Sequence, residues 1–140
     1  MASENRRKRI LVTAVNGDLG QAVLKALRLN PRRYVLYGSD ATWPGVGEQF
    51  LTGEFHRVPM ALDHPEVYLA EMERLTYAWG LDAVVPCSEQ EIHVLGVLGD
   101  PPQLAGGIPV ICQSPMFFDH WSDKLLAMIA LQASPRDGSL

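Results

Sequence analysis

Arg9-Ile-Leu-Val-Thr-Ala-Val-Asn-Gly-Asp-Leu-Gly-Gln-Ala-Val-Leu-Lys-Ala-Leu-Arg28 reads as a buried strand, a glycine turn and an amphipathic helix. Ile10, Leu11 and Val12 form the short apolar run that a parallel strand covered on both faces requires. Asn16-Gly17 is a turn signal, and Gly20 allows the helix backbone to lie close to the strand or to a ligand. Leu19, Ala22, Val23, Ala26 and Leu27 then recur at helical spacing, with Lys25 and Arg28 off that stripe. A strand, a tight turn and a helix N-terminus make a βα unit whose turn amides can face an anion. Dinucleotide fingerprints carry three glycines. Here Ala14 stands where the first would fall, leaving Gly17 and Gly20. A phosphate or carboxylate cradle and a plain close-packed turn fit these residues equally well.

Downstream, Asn30-Pro31 stops the helix, and Tyr34-Val-Leu-Tyr-Gly38 is a second strand ending at Ser39-Asp40. Asp40 lies 20 residues beyond Gly20, near where dinucleotide-binding folds place the acid that grips a ribose. An Asp that caps the following turn fits the same position. Phe55 to Val58 is a short third strand, and its His56 is a surface or edge residue with no second metal ligand at a suitable spacing. His64-Pro65-Glu66 opens a long helix with Tyr68, Met72, Leu75 and Trp79 on its core face, closed by Gly80. Leu81 to Pro86 is the fourth strand, and Cys87-Ser-Glu-Gln-Glu91 follows it. Ser88 is an N-cap, and Glu91 completes a capping box with it. Because open α/β sheets bind ligands beyond the carboxyl ends of their strands, Ser88 and Glu89 are candidate site residues. Ile108 to Cys112 is the fifth strand, Ser114-Pro115 opens a further helix, and Ser122-Asp-Lys starts a last amphipathic segment through Leu131.

This alternation predicts a Rossmann-like, three-layer, doubly wound α/β fold. Its parallel sheet would have about five strands in the order 3-2-1-4-5. The core would include Leu11, Val12, Leu27, Leu75, Val84 and Val85. A chain of 140 residues suits one such domain. We divide it into a flexible basic lead-in (1–8), the domain (9–121), a linker helix (122–132) and a tail (133–140).

Composition narrows the partners. With a net charge of −4, nothing favours nucleic acid or an acidic membrane surface. Arg6-Arg7-Lys8-Arg9 is too short for a basic patch and reads as a solvated strand end. Cys87 and Cys112 make neither a disulfide framework nor a metal motif, which fits a reducing, cytoplasmic setting. The sequence has no G-x-S-x-G, no Walker A and no Tyr-x-x-x-Lys. It pairs none of Asp40, Asp82, Glu89 and Glu91.

Read in order, five pieces resemble the N-terminal domain of ATP-grasp enzymes, the pre-ATP-grasp domain. They are Ile10 to Gly20, Gly38-Ser-Asp40, Asp82-Ala-Val-Val-Pro-Cys-Ser-Glu89, Ile108-Pro-Val and Ser122-Asp-Lys-Leu125. That group includes carbamoyl-phosphate synthase large chains, biotin carboxylases and many amino-acid ligases. The resemblance implies a domain that helps hold the acceptor, a small-molecule carboxylate or amine, while ATP and Mg2+ sit between two further lobes. Carried over, Gly17, Asp18, Gly20, Ser88 and Glu89 border the acceptor pocket, and Lys124 reaches the ATP phosphates. On this reading the catalytic lobes, in cis or in trans, lie beyond Leu131. This chain alone would bind no cofactor and complete no ligation, and a homodimer is compatible with the reading. Two other readings stand beside it: an NAD(P)-binding module resting on Asp40 and the glycine turn, and an interaction module docking a partner around Trp121 and Lys124.

Overall fold

The computed structural model describes residues 6–113 and 123–133. Along the chain run β1 (Lys8–Val12), α1 (Asp18–Arg28), β2 (Tyr34–Asp40), a 3-10 turn (Val46–Phe50), β3 (Phe55–Arg57) and α2 (Pro65–Trp79). They are followed by β4 (Ala83–Val85), α3 (Glu89–Leu95), β5 (Gln103–Leu104), β6 (Ile108–Pro109) and α4 (Lys124–Ala133). The main sheet is wholly parallel with the order β3-β2-β1-β4. The protein is therefore a Rossmann-like α/β domain.

The central strand is β1, as its apolar run requires. Val12 lies opposite Gly38 of β2 on one side and Val85 of β4 on the other. Side chains alternate across it. Leu11 joins Tyr37, Tyr68, Met72, Leu75, Val84 and Leu95 under α2 and α3. Ile10 and Val12 join Val15, Leu24 and Leu36 under α1. Each buried aliphatic side chain contributes about 1.5–3 kcal/mol of transfer free energy, so both faces of the sheet help to hold it.

Local chemistry fixes the helix ends. Gly80 takes the left-handed conformation at φ 58° that ends α2, with its N–H bonded to the carbonyls of the last turn. Arg9 Nη1 donates to the Trp79 carbonyl at 2.8 Å, joining that same end to β1. Asp82 then ties the edge together, accepting from Arg9 N at 2.7 Å and from Arg6 Nη2 at 2.7 Å.

Two expectations change. The fifth strand is reduced: Ile108–Pro109 pairs antiparallel with Gln103–Leu104, and the chain meets the main sheet through a parallel bridge of Val110 to Val84 and the Ile111 N–H donated to the Val84 carbonyl at 2.8 Å. Pro101, Pro102 and Pro109 leave too few N–H groups around this edge to extend a ladder. The buried stripe of α1 is Gly20 and Leu24, with Val23 and Leu27 beside it, and Leu19 is exposed. The helix is rotated because Gly20 presses on the Ala14 carbonyl, where an added Cβ would sit 2.3 Å from the oxygen. β1 begins at Lys8, and Arg6 before it is held by Asp82. His56 lies in the edge strand β3, as expected, and its Nε2 meets Glu71 at 3.0 Å in a cluster with Arg74. The helix expected from Ser114 lies outside the described residues, as do Trp121 and Ser122.

Candidate functional site

At the carboxyl ends of β1, β2, β3 and β4 lies a cleft of about 490 Å3. The chain runs outward from β1 to β2 and β3 and then crosses back to β4. The sheet thus reverses direction at β1, the place where open α/β folds form ligand crevices. Ala14, the 40–42 corner, Pro59 to Ala61 and Ser88 to Glu91 line it.

In the turn after β1, the amides of Val15, Asn16 and Gly17 find acceptors inside the protein. Ala14 adopts φ 49°, the left-handed conformation that the absent first glycine would supply. Gly17 N donates back to the Ala14 carbonyl at 3.0 Å, and Val15 N donates to the Ser39 carbonyl at 3.2 Å. Asn16 N donates to Asp40 Oδ2 at 3.0 Å. Of the candidates in this turn, Gly17, Asp18 and Gly20 do not line the cleft; Ala14 does. Gly20 is there for close packing, as its contact with Ala14 shows.

Asp40 serves the corner. Its Oδ1 accepts from Thr42 N at 2.9 Å and from Thr42 Oγ1 at 2.7 Å, and its Oδ2 holds Asn16. The Asn16 side chain clasps the following loop, donating to Thr42 Oγ1 and to the Trp43 carbonyl and accepting from Gly47 N at 3.2 Å. Both oxygens of Asp40 are thus committed to folding segment 41–47 against the turn. This is the capping role, not a free ribose grip.

Ser88 caps α3 as expected, accepting from Glu91 N at 3.3 Å. Glu91 departs from the capping box. Its carboxylate turns inward and is 6% exposed. Tyr68 Oη donates to Oε1 at 2.9 Å, and Thr13 Oγ1 and Ser88 Oγ both donate to Oε2. The Thr13 hydroxyl in turn accepts from Cys87 N at 3.0 Å. Burial raises the Glu91 pKa above the ordinary carboxylate value, and the three hydroxyls pull it back. Burial, with the Glu91 carboxylate beside it, drives the Tyr68 phenol far above its usual range, so it acts as a neutral donor. The same two causes push the Cys87 thiol up to about 11.

Glu89 is the exposed acid of the cleft, with Ser88 and Gln90 beside it. Of the predicted site residues, the structure brings Ser88 and Glu89 together, and it adds Glu91, Thr13 and Tyr68 behind them. Lys124 is the first residue of α4 and is exposed. Asp123 Oδ1 caps that helix through the N–H groups of Leu125 and Leu126. No residue of α4 is buried. Among the described residues, no three His, Cys, Asp or Glu side chains converge on a metal position. Of the cleft acids, Asp40 and Glu91 are engaged by protein donors, and Glu89 is exposed. No helix among the described residues is long and apolar enough to cross a membrane.

No protein-family model matches the chain, and no curated protein matches its sequence. A solved structure, that of Cj0485 dehydrogenase, is similar over 61% of this chain at 14% identity and a TM-score of 0.44. The matched region spans 34% of that protein's length. A likeness of this size carries no assignment of activity.

Proposed function

We propose that the chain is the acceptor-binding α/β domain of an ATP-grasp ligase. The parent enzyme would activate a carboxylate as an acyl phosphate and join it to a nucleophile. The observation that carries this reading is the cleft itself, walled by the Ser88-Glu89-Gln90-Glu91 segment at the sheet's reversal point. The order of the Asp82-to-Glu89 and Asp123-Lys124 motifs supports it.

The division of labour follows from the side chains. Ser88 and Glu89 offer a hydroxyl and a carboxylate to an acceptor. Buried Glu91 is a positioning residue, holding the Ser88 hydroxyl to Thr13, just past β1, and Tyr68 of α2 through one carboxylate. Bound ATP would supply the phosphoryl group that activates the carboxylate. Within this chain only Lys124 is expected to reach it. One exposed lysine attracts phosphate weakly because water and salt screen it. ATP affinity of the chain alone is therefore roughly millimolar at best.

The dinucleotide reading is weaker, because Asp40 is bonded to Asn16 and Thr42 and the amides of Val15, Asn16 and Gly17 already have protein acceptors. The test supplies ATP-grasp lobes together with this chain and measures ADP release. Release should require both parts and an acceptor, and Lys124→Ala should reduce it. Magnesium-dependent ATP turnover by the purified chain alone would refute the proposal.

A further inference from the structure

Beside the first cleft lies a second of about 370 Å3, lined by Ala41, Arg57, Val58, Pro59, Met60, Asp63 and His64. Ala41, Pro59 and Met60 line both, so the two clefts adjoin at these apolar residues. We propose that this double cleft binds a small zwitterion, with its carboxylate on Arg57 and its ammonium on Glu89. The inference rests on the acceptor-site reading above and names the class of acceptor.

The Arg57 guanidinium is held in place before any ligand arrives. Its Nε donates to the Ala41 carbonyl at 3.2 Å, and its Cζ lies over the Trp43 ring, 4.6 Å from the centroid. A guanidinium stacked on an aromatic ring and tethered at Nε keeps its two Nη groups as a fork for a carboxylate. Neither Nη group has a partner among the described residues. The N-terminus of the long helix α2 begins at the same cleft, and its cap residue His64 makes no side-chain capping bond. That end adds positive potential. Asp63 is the opposing charge in this half.

The first cleft carries the opposite sign. Asp40 and Glu91 each accept three hydrogen bonds from protein donors, whereas Glu89 is the acid there without a partner among the described residues. Ser88 Oγ lies beside it. Pro59, Met60 and Ala61 between the two ends suit methylene groups. A molecule with one charge satisfies one end only, whereas a zwitterion with a short aliphatic spacer satisfies both.

The experiment is a titration of the full 15N-labelled chain with 5-aminopentanoate, pentanoate and pentylamine, read by amide shifts. 5-Aminopentanoate should shift amides at both Arg57–His64 and Ser88–Gln90 and bind about five-fold more tightly than either single-charge probe. Arg57→Gln should bring its affinity down to that of pentylamine and leave pentylamine unchanged. Glu89→Gln should do the reciprocal with pentanoate. Arg57→Lys, which keeps the charge but not the fork, should fall between. Unshifted amides in β1 and α1 show that each variant is folded. Equal binding of the three probes, no effect of Arg57→Gln, or no saturable shift overturns the inference. Any of these beside acceptor-dependent ADP release in the reconstituted enzyme leaves the ligase reading intact. Zwitterion binding without such release sinks the ligase reading alone.

Discussion

Removing the Tyr68 hydroxyl tests the buried network behind the site. Tyr68→Phe deletes the one donor to Glu91 Oε1 and leaves that oxygen, among the described residues, without a partner. A hydrogen bond to a charged group contributes about 1.5–3 kcal/mol, so the loss at neutral pH should be about 2 kcal/mol. With a urea slope of about 2 kcal/mol/M for a chain of this size, the midpoint should fall by about 1 M.

The loss should also depend on pH, and the sign follows from linkage. Burial puts the folded pKa of Glu91 above its ordinary 4.5. A raised carboxyl favours folding in its protonated form. That contribution is complete below the unfolded pKa and is lost as pH rises through the folded one. The Tyr68 hydrogen bond supports the ionised form, so Tyr68→Phe lifts the folded pKa further. The mutational loss is therefore smaller at about pH 5 than at about pH 8. The small void left by the hydroxyl is common to both conditions and cancels in the difference. Urea melts of both proteins at the two pH values measure it. A loss that is equal at both, or larger in acid, would refute the argument.

Other outcomes follow from the same geometry. Gly20→Ala places a methyl 2.3 Å from the Ala14 carbonyl oxygen, so it should cost about 1–3 kcal/mol or more in a chemical melt. Asp40→Ala frees Asn16 N and the Thr42 donors, and should speed amide exchange across 41–47 while leaving β4 protected. With its thiol pushed up to about 11, Cys87 should react with iodoacetamide far more slowly in the folded chain than after unfolding, and faster as pH rises.

Periodicity and punctuation made much of the fold legible. The run Ile10 to Val12 placed the central strand, and the spacing of Tyr68, Met72 and Leu75 placed the buried face of α2. Gly80 and Ser88 marked helix ends that the structure keeps. The face of α1 was misread because a contact, Gly20 on Ala14, outweighs the distribution of apolar side chains. The fifth strand was overstated because apolar composition does not reveal how prolines limit a ladder.

The site was legible in part. Ser88 and Glu89 follow from their position after β4, but Glu91 read as a cap partner. Its actual partners, Thr13 and Tyr68, are 78 and 23 residues away, and local spacing cannot bring them together. One signal was present: Thr13 is a hydroxyl residue directly after a fully apolar run, and it is 0% exposed. A buried hydroxyl of that kind requires a polar partner. Asp40 misled in the opposite way. Its distance from Gly20 matches a ribose acid, while Asn16 and Thr42 take up its oxygens.

The central claim is that this cleft holds an acceptor and not a dinucleotide. Calorimetric titration of the chain with NADH tests it most directly. Because Asp40 and the amides of Val15, Asn16 and Gly17 are already bonded within the protein, we predict no saturable heat at micromolar concentrations. A micromolar dissociation constant for NADH that Asp40→Ala abolishes would contradict the account.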